Sequence, residues 1–163
     1  MHSDAGDERP TRADEVDRRL LHALVRDPWA TQLALADASG TSRNTVRSRL
    51  DRYRQGKGMR ALDHAIDPAF LGYRLRAFIF TTVEQRRLAE VAAALSEVPE
   101  VLEVNGLSGE VDLLVEVVAR DGDDLYRVAG AILDIDGVQR TSTGLVMRPL
   151  VPYRARQLLQ LER

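Results

Sequence analysis

The stretch ADASGTSRNTVRSRLDRYRQGKGMR, Ala36 to Arg60, decides how this chain is read. It has the layout of one helix ending, a tight turn, and a strongly basic second helix, which is how a helix-turn-helix presents its second helix to a DNA groove. The turn is Ala38-Ser39-Gly40-Thr41, where Gly40 can take the left-handed conformation that ends a helix, and Ser42 offers a hydroxyl to cap the next one. Val46, Leu50 and Tyr53 recur at i, i+4 and i+7 and form an apolar stripe. Arg43 and Arg47 flank that stripe, and Asn44, Ser48 and Asp51 face away from it. Ala36, Gly40 and Val46 have the spacing A-x3-G-x5-V that lets two helices cross closely. From Ser42 to Arg60 seven basic residues stand against Asp51 alone, a local charge of +6. The expected DNA contacts are Ser42, Arg43, Asn44, Thr45, Arg47 and Ser48 at or near the major groove, with Arg52, Arg54 and Lys57 on phosphates.

Upstream, residues 1–13 are polar, mixed in charge and interrupted by Pro10, so a disordered tail is expected. Asp14 can cap a first helix whose stripe is Val16, Leu20, Leu21 and Leu24, and Asp27-Pro28 stops it. Trp29 is expected as a plug in the core, and a second helix from Thr31 to Ala38 is expected to turn Leu33, Ala34 and Ala36 inward. Residues 14–58 thus make a three-helix, winged-type helix-turn-helix domain.

Downstream, residues 59–73 read as a hinge, with a short extended segment from Met59 to Ile66 before Asp67-Pro68. From Arg74 the period becomes two: Leu75, Ala77, Ile79, Thr81 and Val83 share one face, and Arg76, Phe78 and Phe80 the other. Leu88, Val91, Ala92 and Leu95 then give a helix that Pro99 ends. Val101 to Leu107 and Asp112 to Val118 give two strands around Ser108-Gly109-Glu110-Val111. Asp121 to Asp124 caps a helix carrying Leu125, Val128, Ala129 and Ile132, and Val138 to Met147 is a last strand. The order βαββαβ over residues 74–150 predicts an α+β fold with a ferredoxin-like, four-stranded antiparallel sheet and both helices on one face. The bare face carries apolar groups, which predicts a homodimer. Residues 151–163 are a tail whose Leu158, Leu159 and Leu161 suit either a short helix lying on a neighbour or a frayed end.

The net charge of −2 divides unevenly: residues 1–41 carry −3, residues 42–60 carry +6 and residues 61–163 carry −5. A basic patch on an acidic body steers one face toward phosphate. With no cysteine, disulfides and thiolate metal sites are excluded, and His2, His22 and His64 are scattered in a tail, a helix and a linker. Neither a metal nor a cofactor is expected. No apolar run approaches the ~18 residues of a membrane span, and the first residues lack a signal-peptide core, so a cytoplasmic, nucleoid-associated protein is expected. The carboxylates form no nucleophile or acid/base pattern, so no enzyme is expected.

In order and spacing, DRRLLHAL (Asp17 to Leu24), GTSRNTVRSRL (Gly40 to Leu50) and SGEVDLLVEV (Ser108 to Val117) resemble the Lrp/AsnC, or feast/famine, transcriptional regulators over Asp14 to Pro149. The resemblance implies double-stranded DNA as a partner and a carboxy-terminal domain that oligomerises, with dimers that can assemble into octamers. It also implies a small effector, usually an amino acid, bound in clefts between dimers. The effector residues it implies are Asn105, Gly106, Leu107, Ser108, Gly109 and Asp112 around the hairpin, with Thr141 and Thr143 on the last strand. Amides at a glycine turn can hold a carboxylate and an aspartate can hold an ammonium, which suits a zwitterion. Two departures stand out: Val111 replaces an aromatic residue common between the glycine and the aspartate, and Gly56-Lys57-Gly58-Met59 is looser than the family's entry to the hinge.

An architectural protein that wraps DNA with little sequence choice would use the same basic helix. Some proteins similar to this family decarboxylate a modified tetrapyrrole with histidine and arginine. The corresponding stretch here, Glu100 to Val104, has no histidine.

Overall fold

The computed structural model describes residues 13–159. The expectation of a disordered tail over residues 1–13 lies outside them except for Ala13, and that of a packing role for Leu161 lies outside them entirely. Two compact units result: one runs up to Ala65 and includes the segment from Val151 onward, and the other is Ile66–Leu150.

The first unit is three helices, α1 (Glu15–Arg26), α2 (Gln32–Ser39) and α3 (Arg43–Arg54). Each start is fixed by a short polar side chain that satisfies an amide otherwise left without a partner. The Asp14 carboxylate accepts the Asp17 N–H at 2.8 Å while the Asp14 N–H donates to Asp17 Oδ2 at 3.1 Å. Thr31 accepts from Ala34 N–H at 3.2 Å, and Ser42 from Thr45 N–H at 3.1 Å. Gly40, at φ 62°, ends α2 in the left-handed region as the turn requires. Leu20, Leu35, Ala36, Val46 and Tyr53 form the core, with Leu21, Ala23, Leu24, Ala30 and Leu50 around it.

Two inward assignments are corrected here. Trp29 is 90% exposed. The turn closes on Asp27, whose Oδ1 accepts the Trp29 N–H at 3.1 Å and whose carbonyl accepts the Ala30 N–H at 3.2 Å, and the smaller Ala30 packs against the core instead. On α2 the inward residues are Leu35, Ala36 and Ser39, whereas Leu33 and Ala34 face solvent. The Ser39 hydroxyl is satisfied inside by the Leu35 carbonyl at 2.6 Å.

The extended segment expected between Met59 and Ile66 is a single 3-10 turn, Leu62–Ala65, and no strand, hence no wing, occurs in this unit among the described residues. With Gly56 and Gly58 both at positive φ (80° and 112°), the chain leaves α3 through turns rather than a strand. The tail is not a free end: a 3-10 turn, Arg156–Leu159, lies against α1, and the Arg60 guanidinium sits 5.7 Å from the Tyr153 ring centre.

The second unit follows the expected βαββαβ order: β1 (Leu75–Val83), α4 (Leu88–Ser96), β2 (Val101–Gly106), β3 (Leu113–Ala119), α5 (Gly122–Leu133) and β4 (Val138–Leu145). The strands are antiparallel in the order β2-β3-β1-β4. One sheet face and the two helices enclose Ala77, Ile79, Val83, Val91, Leu95, Leu113, Val115, Val117, Val128 and Ile132. Cross-strand neighbours share a face, so Arg76, Phe78 and Phe80 lie with Val118, Glu116 and Leu114 on the other side. That side is left uncovered, with Phe80 40% exposed. Gly137, at φ 100°, brings α5 into β4 in the left-handed region that favours glycine, and in a crowded spot: a Cβ there would lie 3.0 Å from Val91 Cγ2 and 3.1 Å from Arg87 Cβ.

Candidate nucleic-acid interface and effector hairpin

The outer face of α3 is a shallow depression of about 440 Å³ lined by Asn44, Arg47, Ser48, Asp51, Arg52 and Gln55. These positions recur at i, i+3, i+4, i+7, i+8 and i+11, one stripe of a helix, directly opposite the buried Val46 and Tyr53. Ser42, Arg43, Asn44, Arg47, Ser48, Arg54 and Lys57 are all exposed, and of these Asn44, Arg47 and Ser48 share the depression. Thr45 is half-buried, its hydroxyl 2.9 Å from Ser42 Oγ, so these two hydroxyls also shape the helix start. Arg54 Nη1 lies 3.0 Å from Asp51 Oδ1.

Beneath this face lies a charge cluster that the sequence reading missed. Asp17 is 2% exposed and sits where α1 meets α3. Its Oδ2 accepts from Arg49 Nη1 at 2.9 Å, and its Oδ1 from Arg52 Nη2 at 2.5 Å and from the Tyr53 hydroxyl at 2.6 Å. Arg49 Nη2 also reaches Asp14 Oδ2 at 2.7 Å. Burial pushes the Asp17 carboxyl up, but the Tyr53 hydroxyl, Arg52, the Asp14 amide and Arg49 together outweigh it and bring the carboxyl down to about 2. Burial, and the carboxylate it donates to, push the Tyr53 hydroxyl well above its ordinary range. Arg52, expected on phosphate, therefore borders the depression while one of its nitrogens is engaged in holding α3 to α1. The signal was present in outline, since Asp17 precedes Leu20 and Leu24 at helical spacing and so falls on the inward stripe.

In the second unit Asn105 and Gly106 end β2 opposite Leu114 and Leu113, and Leu107, Ser108 and Gly109 form the exposed turn. Gly109 holds φ 148° with nothing within 4 Å of a Cβ position. Asp112 ties this hairpin to the end of β1. Its amide donates to the Thr81 carbonyl at 3.1 Å, and its carboxylate accepts the Val83 N–H at 2.8 Å and the Gln85 side-chain amide. Both carboxylate oxygens thus have partners within the chain, and Gln85 is a second residue the sequence reading missed. Thr141 and Thr143 sit on β4 across from Thr81 and Ile79. Because β2 and β4 are opposite edges of the sheet, Asn105 and Gly106 stand three strand spacings, about 14 Å, from the β4 threonines. One chain does not gather the whole set around one small molecule.

Comparison with known proteins joins these two sites. The family model of the AsnC-type helix-turn-helix domain matches residues 14–54, and that of the Lrp/AsnC ligand binding domain matches residues 76–156. The chain is 30% identical over 135 residues to the HTH-type transcriptional regulator FL11 of Pyrococcus abyssi, covering 83% of this chain and 89% of the relative. Among solved structures, E. coli AsnC superposes with a TM-score of 0.78 at 25% identity, over 90% of this chain and 99% of that one. The feast or famine regulatory protein of M. tuberculosis, complexed with L-methionine, does so with a TM-score of 0.75 at 25% identity, over 86% and 96%. With its basic helix-turn-helix joined to a ferredoxin-like ligand-binding domain, the chain belongs to the Lrp/AsnC family of transcriptional regulators.

Proposed function

We propose that the protein is a sequence-specific DNA-binding regulator, acting on the nucleoid in the cytoplasm, whose carboxy-terminal domain senses an amino acid. The observation that carries this reading is the outer face of α3, where Asn44, Arg47 and Ser48 stand exposed in one depression, with Arg43 and Arg54 exposed on the same helix. Asparagine and arginine are the side chains that pair bidentately with adenine and guanine edges, and a serine serves either. Ser42, Thr45, Arg52 and Lys57 complete the contact set on hydroxyls and phosphates.

The bare sheet face around Phe80 supports a homodimer, which sets two α3 helices to read half-sites about 34 Å apart. Further assembly to an octamer belongs to the same reading. The effector is placed at the glycine hairpin, with Asn105, Gly106, Leu107, Ser108, Gly109 and Asp112 from one copy. Thr141 and Thr143 enter from another, since a single chain holds Asn105 and Gly106 on the opposite sheet edge from them. The L-methionine complex of the M. tuberculosis relative supports an amino acid as the effector class.

The test is a fluorescence-anisotropy titration of the full chain against its own upstream intergenic duplex and a scrambled duplex at about 150 mM salt, with and without a pool of amino acids. Preference for the native duplex that shifts with the pool is the expected result. Equal binding to both duplexes replaces this reading with the architectural one. Arg47→Ala is expected to weaken specific binding by about 1–3 kcal/mol, and unchanged affinity would remove Arg47 from the groove.

A further inference from the structure

The outer face of α3 carries one carboxylate, and nothing in the fold of the helix accounts for it. Asp51 is half-exposed and contributes nothing to the core. It caps no helix, and it lies in the last third of α3, where the negative end of the helix dipole disfavours an acid. Its ion pair is with Arg54, on the surface and three residues away, an arrangement that adds little stability. Facing a polyanion, a carboxylate also weakens binding to any duplex. Such a group fits a DNA-reading surface when a hydrogen-bond donor on a base meets it.

We propose, resting on the DNA-binding reading above, that Asp51 is a specificity-determining residue that accepts a hydrogen bond from the N4 amino group of a cytosine in the major groove. A carboxylate is an acceptor only, so it rejects the O6 and N7 of guanine and the O4 of thymine. Adenine offers its N6 amino group beside the N7 acceptor, which repels the second carboxylate oxygen. Cytosine presents its amino group beside C5–H, where adenine has the N7 acceptor. Asp51 lies in the middle of the depression, with Asn44, Arg47 and Ser48 on its amino-terminal side and Gln55 beyond it. Arg54, at 3.0 Å, orients the carboxylate and offsets its charge against the phosphates. The helix thus carries one element that attracts a chosen base and repels the others, set among side chains that read other bases and arginines that attract DNA of any sequence.

The experiment is selection from a randomised duplex pool by the full-length protein and by Asp51→Asn and Asp51→Ala, with thermal melting of each variant to verify the fold. The wild type is expected to select cytosine at one position per half-site, by about tenfold over other bases. Both variants are expected to lose that preference alone, keep the others, and bind unrelated duplexes more tightly. The same base preferences in all three proteins would overturn the assignment, whether or not affinity rises. So would a lost preference for adenine, guanine or thymine in place of cytosine. A wild type that selects no sequence at all would overturn the DNA-reading proposal itself, an outcome distinct from variants that merely match the wild type.

Discussion

The two units of this chain solve the same problem with different chemistry. The sheet unit holds its elements together by aliphatic burial: Ile79, Val91, Leu95, Val115, Val117, Val128 and Ile132 are all fully buried, and none brings a polar atom. The helical unit has a small apolar core and sets α3 against α1 with a buried carboxylate between two guanidiniums and a phenol. Apolar contact is non-directional, whereas an ion pair with fixed hydrogen-bond geometry fixes a helix in both rotation and translation. A recognition helix needs that definition more than a sensing domain needs it anywhere in its core, because an error of about 1 Å moves every side chain relative to the base edges.

The largest effect expected from a single truncation lies in the aliphatic core. Ile132→Ala removes a fully buried side chain between α5 and the sheet and is expected to destabilise by about 4 kcal/mol, measured by urea denaturation. Amide exchange should place the loss in Ile66–Leu150 and leave the amides of α1 to α3 as protected as before. Loss of protection spread equally over both units would break the comparison, since the two cores would then not be separate sources of stability.

Next comes Asp17→Ala, expected to cost about 3 kcal/mol because it leaves Arg52 and the Tyr53 hydroxyl without their acceptor. The figure stays near the low end for a broken buried pair because Arg49 and Arg52 keep 22% and 30% of their side-chain surface in water and Arg49 retains Asp14. DNA affinity at a temperature where the variant is folded is expected to fall as well, through the altered pose of α3. Full affinity in a destabilised Asp17→Ala would show that the cluster stabilises the helix without positioning it.

Why Asp17 escaped the sequence reading is a matter of distance along the chain. Its partners Arg49, Arg52 and Tyr53 lie 32, 35 and 36 residues away, and no local pattern announces which arginine turns inward. The partners of Asp112 were hidden for the same reason: Val83, whose amide its carboxylate accepts, lies 29 residues upstream. What was legible was local. The caps at Asp14 and Ser42, the left-handed Gly40, and the strict alternation from Leu75 to Val83 are each decided within a few residues. Leu33 and Ala34 went astray because hydrophobicity stood in for helix phase, and Trp29 because it stood in for the turn that Asp27 closes. Once α2 begins at Gln32, its inward positions are Leu35, Ala36 and Ser39 whatever the neighbours prefer.

The acid response reads the Asp17 cluster directly. The Asp17 carboxyl stands at about 2 in the folded chain against an ordinary 3.8. A lowered carboxyl contributes stability that is fully present above the unfolded value and is lost as pH falls through the folded one. The helical unit should therefore lose roughly 2 kcal/mol between about pH 4 and pH 2. Asp17→Asn, which cannot titrate, should flatten that part of the profile. An unchanged acid slope in Asp17→Asn would mean that other carboxylates carry the response.

The smallest effect is at Ser42, where a helix cap coincides with a proposed DNA contact. Ser42 Oγ accepts the Thr45 N–H and touches the Thr45 hydroxyl, so Ser42→Ala is expected to cost about 1 kcal/mol in the helical unit, read from the same urea denaturation. Ser42→Asp separates the two roles. Aspartate caps as well as serine and gains from the positive end of the helix dipole, so stability should return to the wild-type level or above. The added negative charge faces the same polyanion as Arg43 and Arg47, so DNA affinity should drop below that of Ser42→Ala. If Ser42→Asp restored stability and DNA affinity together, the amino terminus of α3 would not lie against the phosphates, and the contact set would have to begin further along the helix.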